Sequence, residues 1–142
     1  MRRNLKPTDL GDLLELPILA ILATRSSTNE VLLSPVWHEW DNSMFTVVTW
    51  ANDIKSRQIA ATPGVSIVVA EQQRPYRSIE VRGHAVLSKP SDLNAIVTRI
   101  ATRYLGEEMG QSYAAEYGSV ELEKIEIRPD TIRAWDFADE VG

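Results

Sequence analysis

Two basic residues stand at the start of a short predicted helix, where acidic residues are more usual. The helix follows an apolar, β-branched segment at residues 45–50, and Asn52 or Asp53 can cap it by accepting backbone N–H groups. Lys55 and Arg57 then fall in its first turn, where the positive end of the helix dipole favours carboxylates. Each cation placed there costs about 0.3–1 kcal/mol when it is exposed.

This arrangement has the chemistry of an anion-binding site. The free N–H groups of the first turn and two side-chain cations can converge on a phosphate or carboxylate group. The alternative is that Lys55 and Arg57 are solvated residues on an ordinary helix. The pattern by itself favours neither interpretation.

The composition gives little support for cysteine chemistry, a metal site or side-chain acid/base catalysis. The chain has no cysteine, which excludes disulfides, thiolate metal sites and cysteine nucleophiles. His38 and His84 are its only two histidines, which argues against a histidine-rich metal site. A structural role is favoured for His38 over that of a proton donor, and His84 is interpreted as an exterior polar residue. The carboxylates Glu121, Glu123 and Glu126 are interpreted as solvated residues of a strand and not as an acid/base pair.

The overall composition is that of an ordinary globular protein. Of the 142 residues, 44% are hydrophobic and 25% are charged, and we expect one domain over residues 1–142. The net charge of −5 argues against binding to nucleic acid or to an anionic membrane surface. No segment approaches the roughly 20 apolar residues of a membrane span, and no apolar signal core follows the basic first residues. A cytoplasmic location is therefore expected.

The segments that must position these residues are short and mostly of strand type. Predicted strands cover residues 18–24, 31–40, 44–50, 64–70, 79–87, 120–127 and 131–137. Predicted helices begin near Thr8, after Asp53, after Pro90 and at Gln111. Pro35 must lie at an edge, at a bulge or where another group meets the backbone. Gly83 predicts a bulge or a sharp bend within its strand.

Six or seven short strands, mostly joined by hairpins, with two or three inserted helices, predict a mainly β fold. The expected architecture is an antiparallel β-barrel with helical insertions. The sequence shows no βαβ alternation, no glycine-rich phosphate loop of the Rossmann or Walker type, and no internal repeat.

The order of these motifs resembles the FMN-binding split-barrel superfamily. This superfamily includes pyridoxamine 5′-phosphate oxidases and relatives that use the deazaflavin coenzyme F-420. The resemblance covers nearly the whole chain and implies a split antiparallel β-barrel. The matching segments are Ser34-Pro35-Val36-Trp37, Thr49-Trp50, Lys55-Ser56-Arg57-Gln58-Ile59, Thr62-Pro63, Val81-Arg82-Gly83-His84-Ala85, Arg103-Tyr104-Leu105-Gly106 and Trp135-Asp136-Phe137. The spacing of Lys55 and Arg57 and the helix ending at Gly106 are most similar to the deazaflavin branch.

The resemblance also implies a cofactor site between the subunits of a homodimer. It assigns binding of the cofactor phosphate to the segment Lys55, Ser56 and Arg57. It assigns contacts with the FMN or deazaflavin ring and its ribityl chain to Ser34, Pro35, Val36, Trp37, Thr49 and Trp50. The loop of Tyr76, or Trp135, would reach the cofactor of the partner. The sequence departs from the family at Asp53, where some deazaflavin binders have arginine, and at Trp50, which is unusually bulky.

The function implied is that of a flavin- or deazaflavin-dependent oxidoreductase, a reductase that transfers hydride to a conjugated organic substrate. Such enzymes need little side-chain acid/base chemistry because the cofactor carries the hydride. The catalytic residues are left unassigned, and no metal site is predicted. The main alternative is a non-catalytic protein that binds or stores a flavin, a deazaflavin or haem. Oxidation of pyridoxamine 5′-phosphate itself ranks lower, because no arginine- and histidine-bearing motif follows Pro129.

Overall fold

A single antiparallel sheet dominates the computed structural model, which describes residues 1–117 and 120–140. Its strands are β1 (Arg2–Leu5), β2 (Ala20–Arg25), β3 (Val31–Val36), β4 (Glu39–Asp41), β5 (Met44–Trp50), β6 (Gly64–Ala70), β7 (Ser78–Ser88) and β8 (Leu122–Asp136). Three α-helices accompany the sheet in this part of the chain: α1 (Ile54–Ala61), α2 (Leu93–Leu105) and α3 (Glu107–Glu116). Two short 3-10 helices, Pro7–Leu10 and Leu13–Glu15, lie between β1 and β2. None of the described helices is long and apolar enough to cross a membrane.

The strand order explains why the barrel is split. The order across the sheet is β3-β2-β6-β7-β8-β5-β4, and β1 pairs with β8 outside this path. Strands β3 and β4 therefore lie at opposite ends of the sheet, although only Trp37 and His38 separate them in the chain. The sheet has to curl until its two ends approach each other, and the ends are joined by this link instead of by a β-ladder. The predicted mainly β, split antiparallel barrel is confirmed.

The core of the barrel is formed by the side chains that point inward from the strands. Side chains in these positions are almost fully buried, as the period of two in a strand with one solvated face requires. The largest of them are Leu22, Phe45, Val47, Ile67, Val69, Ile79, Ile125 and Ile127. Leu10 and Leu13, from the two 3-10 helices, are buried in the same cluster.

A bulge bends the long hairpin of β7 and β8 at the predicted position. The register shifts between Arg82, which pairs with Thr131, and Gly83, which pairs with Pro129. A Cβ atom on Gly83 would overlap the carbonyl oxygen of Arg128, so this close approach requires glycine. Because the shift accommodates Pro129, β8 continues as one strand. The prediction of two separate strands in this region was wrong.

Three other boundaries also differ from the sequence-based prediction. The strand predicted at residues 31–40 is interrupted at Trp37 and His38, since the backbone of His38 bonds to α2 instead of to a neighbouring strand. The helix predicted near Thr8 is a pair of 3-10 turns. Helix α3 begins at Glu107, four residues before the predicted Gln111.

Two helix ends agree with the prediction and are relevant to the site. The Oδ1 atom of Asp53 accepts the N–H of Ser56 at 2.9 Å and so caps α1. Helix α2 ends at Gly106, whose φ of 90° suits glycine. Helix α3 then turns back against α2, and a Cβ on Gly110 would lie only 2.5 Å from the Cα of Thr102. This close packing places the side chains of α3 over the end of β5.

Candidate functional site

A cleft of about 310 Å³ lies between the outer face of β5 and the pair of helices α2 and α3. Its floor is apolar and consists of Val48, Val97, Ile100 and Leu122. Helix α2 presents Val97 and Ile100 together because residues three apart share a helix face. A flat apolar ligand could therefore lie on the apolar floor of the cleft.

Four aromatic side chains form one wall of this cleft, which we call the aromatic wall: Trp37, Tyr113, Tyr117 and Trp50. The ring centroids follow one another at 5.1 Å from Trp37 to Tyr113, 4.5 Å from Tyr113 to Tyr117, and 6.5 Å from Tyr117 to Trp50. Tyr113 and Tyr117 are four residues apart and so lie on the same side of the chain. At the outer end, Trp50 is 57% exposed, so a ligand could reach its ring from solvent.

The rim of the cleft carries one ion pair. The Nζ atom of Lys55 lies 2.9 Å from Oδ2 of Asp53, and the hydroxyl of Thr49 donates a hydrogen bond to the same oxygen. Burial opposes ionisation of Asp53, but hydrogen bonds from Thr49, the Ser56 N–H and Lys55 together lower the pKa of its carboxyl. The carboxylate also offsets the unfavourable position of Lys55 in the first helical turn.

The structure brings four of the predicted site residues to this cleft. Trp37, Thr49, Trp50 and Lys55 all line it. They come from the link after β3, the end of β5 and the start of α1, which the curl of the sheet places side by side. Thr49 is buried, so its contribution is the hydrogen bond to Asp53.

The other two residues of the predicted phosphate segment are placed elsewhere. Arg57 is exposed and lines a separate groove with Lys89 and Glu121. Residues two apart on a helix point in different directions, so Lys55 and Arg57 do not converge on one ligand. Ser56 is buried, and its hydroxyl has no hydrogen-bond partner among the described residues.

The remaining predicted contacts also lie outside the cleft. Ser34, Pro35 and Val36 belong to the edge strand β3, and Pro35 lines an apolar hollow on the outer face of the sheet. Tyr76 is exposed on the loop before β7, with its ring edge-on to Phe137 at 6.4 Å. Their contacts with a cofactor stay predictions.

His38 has a structural place in the fold. It is fully buried, its ring meets Phe45 edge-on at 5.3 Å, and it does not line the cleft. Burial, and next the nearby guanidinium of Arg103, lower the pKa of His38 to about 4. The imidazole is therefore neutral at physiological pH and acts as a packing residue at the start of β4.

Sequence reasoning missed the contribution of α3. Tyr113 and Tyr117 were within a predicted helical segment, and their spacing of four residues would have placed them on one face. Nothing in the sequence shows that this face turns toward β5, because that depends on the sharp turn at Gly106 and the close approach at Gly110. The pairing of Lys55 with Asp53 was also missed.

The arrangement suits binding and orientation more than acid/base catalysis. A flat conjugated ring can stack on aromatic side chains, and a lysine at the rim can meet an anionic group. Neither histidine lines the cleft. Within residues 1–117 and 120–140, no group of three or more histidine or carboxylate side chains could hold a metal ion.

Comparisons with known proteins agree with this architecture. The family model described as pyridoxamine 5′-phosphate oxidase matches residues 8–136, which is nearly the whole chain. The chain belongs to the pyridoxamine 5′-phosphate oxidase family. The predicted resemblance to split-barrel proteins is thereby confirmed, and all ten predicted site residues lie within the matched region. No curated protein gives a significant match to the sequence.

Solved structures similar to this family member share its fold. A conserved hypothetical protein from Mycobacterium tuberculosis has a TM-score of 0.81 and 17% identity, over 97% of this chain and 92% of that one. An F420 reductase has a TM-score of 0.68 and 25% identity, over 85% of this chain and 93% of that one. An FAD-binding protein from Mesorhizobium loti has a TM-score of 0.67 and 16% identity, over 94% and 93% of the two chains.

Proposed function

We propose that this protein is a flavin- or deazaflavin-dependent oxidoreductase that holds the cofactor ring in the cleft beside α2 and α3. The observation that carries the proposal is the combination of the aromatic wall with a single lysine at the rim. Among the described residues that line the cleft, Lys55 is the one cation. The family membership and the F420 reductase and FAD-binding neighbours support a cofactor of this class.

The residues of the cleft fit such a cofactor. Ligand pockets typically measure about 300–1,000 Å³, so a cleft of 310 Å³ is suited to a ring system of modest size. Tyr113, Tyr117 and Trp50 offer aromatic surfaces to the ring. Trp37 contributes less free surface, because its indole already stacks on Tyr104. Lys55 would meet the phosphate.

A bound flavin or deazaflavin would supply the hydride chemistry. The protein would orient the ring through the aromatic wall and exclude water through Val48, Val97 and Ile100. Burial, followed by the proximity of Tyr117 and Glu116, raises the pKa of the Tyr113 phenol. The Tyr113 hydroxyl therefore stays protonated at neutral pH and can donate a hydrogen bond to the cofactor or to a conjugated organic substrate.

For the identity of the cofactor, we propose a preference for F-420 over FMN. The proposal rests on the resemblance of the Lys55–Arg57 spacing and of the helix end at Tyr104 and Gly106 to the deazaflavin branch. The F420 reductase, at 25% identity, supports it. Asp53 acts against it, because its carboxylate would repel an anionic tail near Lys55.

Titration of the tryptophan fluorescence tests both proposals. FMN and F-420 should quench the emission of Trp50 and Trp37, with the tighter binding for F-420. Lys55→Met should weaken binding about ten- to a hundredfold, because it removes the cation that meets the phosphate and leaves the Asp53 carboxylate beside it without a counter-ion. Arg57→Met is the matched control, since it removes a cation from the same helix but from a different groove. Binding that is equally tight in both variants would contradict the role of Lys55.

The alternative of a non-catalytic storage protein makes the same binding prediction. The two alternatives differ in the turnover they predict. An enzyme should repeatedly reduce a conjugated acceptor when reduced cofactor is supplied, whereas a storage protein should not. Haem is the less suitable ligand for this cleft, because neither His38 nor His84 lines it. Steady consumption of reduced F-420 or FMN in the presence of acceptor would therefore favour the enzyme.

We also propose that the protein is a homodimer. Val31 and Leu33 are exposed on the edge strand β3, and Trp50 and Ile54 are exposed at the corner between β5 and α1. Exposed apolar residues that gather in patches are typical of an interaction surface. Both patches adjoin or include segments that the family resemblance assigns to a cofactor site between subunits. Obligate interfaces of this type bury about 2,000 Å² or more.

A further inference from the structure

The lysine at the rim of the cleft is not free to meet a ligand without competition. Its Nζ atom lies 2.9 Å from Oδ2 of Asp53, and the two side chains are 20% and 22% exposed. At this depth an ion pair is screened less by water than on the open surface. The cleft thus offers an ammonium group that already has a carboxylate partner.

Asp53 is also held in place by its other contacts. Its Oδ2 accepts a hydrogen bond from the hydroxyl of Thr49, and its Oδ1 accepts the N–H of Ser56 at 2.9 Å as the cap of α1. Rotation of the carboxylate away from Lys55 would break both bonds. A phosphate that approaches Lys55 must therefore share the ammonium with a carboxylate that stays in position.

We propose that Asp53 is a specificity-determining residue that lowers the affinity of the cleft for the phosphate of its cofactor. As the resident counter-ion of Lys55, it partly cancels the charge that would attract the phosphate, and it repels the phosphate directly. The cleft should then distinguish only weakly between a phosphorylated ligand and an unphosphorylated ligand that has the same ring. This inference rests on the proposed function, because it assumes that the ring occupies the cleft.

Riboflavin and FMN provide a suitable pair of probes, since they share the ring and the ribityl chain and differ in the phosphate. Asp53→Asn removes the charge and keeps a residue that caps helices equally well. Asp53→Ser does the same with a smaller side chain. Asp92→Asn is the matched control, because it removes one negative charge from the N-cap of α2, where the side chain makes no cap hydrogen bond.

We expect Asp53→Asn and Asp53→Ser to bind FMN about ten- to a hundredfold more tightly than wild type, as loss of one nearby like charge implies. Riboflavin affinity should change by no more than about twofold. The gain for FMN should disappear in the double variant Asp53→Asn with Lys55→Met, because the freed ammonium is then absent. Asp92→Asn should bind both ligands as wild type does. Thermal unfolding shows which variants are folded.

Two results would overturn the inference and leave the proposed function standing. One is an unchanged ratio of FMN to riboflavin affinity in the folded Asp53 variants. The other is weaker binding of both ligands, which would make Asp53 a direct contact for the ring or the ribityl hydroxyls. If neither riboflavin nor FMN binds to wild type or to any variant, the proposed flavin site and the inference both fail.

Discussion

The indole of Trp37 stacks on the phenol ring of Tyr104, with centroids 5.0 Å apart and planes within 8° of parallel. The hydroxyl of Tyr104 donates a hydrogen bond to the carbonyl of Ile18 at 2.7 Å and accepts one from the N–H of His38 at 3.3 Å. One side chain of α2 thus ties the link between β3 and β4 to the segment before β2. This tie closes the split side of the barrel and sets the inner end of the aromatic wall.

Tyr104→Phe should destabilise the protein by about 1–3 kcal/mol, because two backbone groups at the closure lose a partner while the stacking surface remains. Denaturation in urea measures the change in the free energy of unfolding. Tyr113→Phe is the matched control, since it removes the hydroxyl from the other ring that contacts Trp37. Equal stability of the two variants would contradict the closing role of the Tyr104 hydroxyl.

Burial of His38 should make the protein sensitive to mild acid. The pKa of His38 is lowered to about 4, whereas an unfolded histidine titrates near 6.5. Between these values the unfolded state binds a proton that the folded state does not, so stability falls as the pH decreases. From pH 7 to pH 4.5 this one group should remove about 2–3 kcal/mol.

The test compares the free energy of unfolding at the two pH values in wild type and in His38→Leu. The variant should lose about 2–3 kcal/mol less than wild type over this interval, whatever its stability at pH 7. His84→Leu serves as control, because it alters the exposed second histidine. An identical acid loss in wild type and His38→Leu would show that His38 is not the group responsible.

Gly83 should be far less tolerant of a side chain than Gly64. A Cβ on Gly83 would overlap the carbonyl of Arg128 within a long antiparallel ladder, so Gly83→Ala should cost about 3 kcal/mol. A Cβ on Gly64 would meet the end of the Arg25 side chain at 2.9 Å, and that side chain can move. Gly64→Ala should therefore cost less than about 1 kcal/mol. Thermal or urea unfolding that ranks the two variants in the opposite order would contradict this account of the bulge.

The features that sequence predicted correctly are those with a local physical cause. A cap of α1 by Asn52 or Asp53 was predictable because a short acceptor side chain there can accept a free N–H of the first turn, and the structure assigns this role to Asp53. Gly83 forms the bulge because no larger residue fits. Short apolar and β-branched segments identified β5 and β6 with the bounds that the structure shows. The family was recognisable because several such local features recur in a fixed order.

The features that sequence missed depend on contacts between distant segments. Strand β3 ends at Val36 because α2 captures the backbone of His38, which lies 66 residues before Tyr104. Strand β8 passes through Pro129 because the facing strand bulges at Gly83. The cleft acquires Tyr113 and Tyr117 only when α3 folds back at Gly106. Lys55 was predicted as a free cation, but it pairs with Asp53. The Asp53 carboxylate is oriented by a hydrogen bond from Thr49, which cannot be inferred from spacing alone.

The exposed face of β3 gives the homodimer proposal its sharpest test. Leu33 is 64% exposed on the edge strand β3, which pairs only with β2 among the described strands. An aspartate there would place a charge within the proposed interface. Light scattering of wild type at micromolar concentration should give twice the chain mass of 15.9 kDa, whereas Leu33→Asp should give the mass of a monomer. Met109→Asp is the matched control, because Met109 is 63% exposed but lies on α3. A monomeric wild type would contradict the homodimer, and dissociation by both variants would show that the effect does not depend on β3.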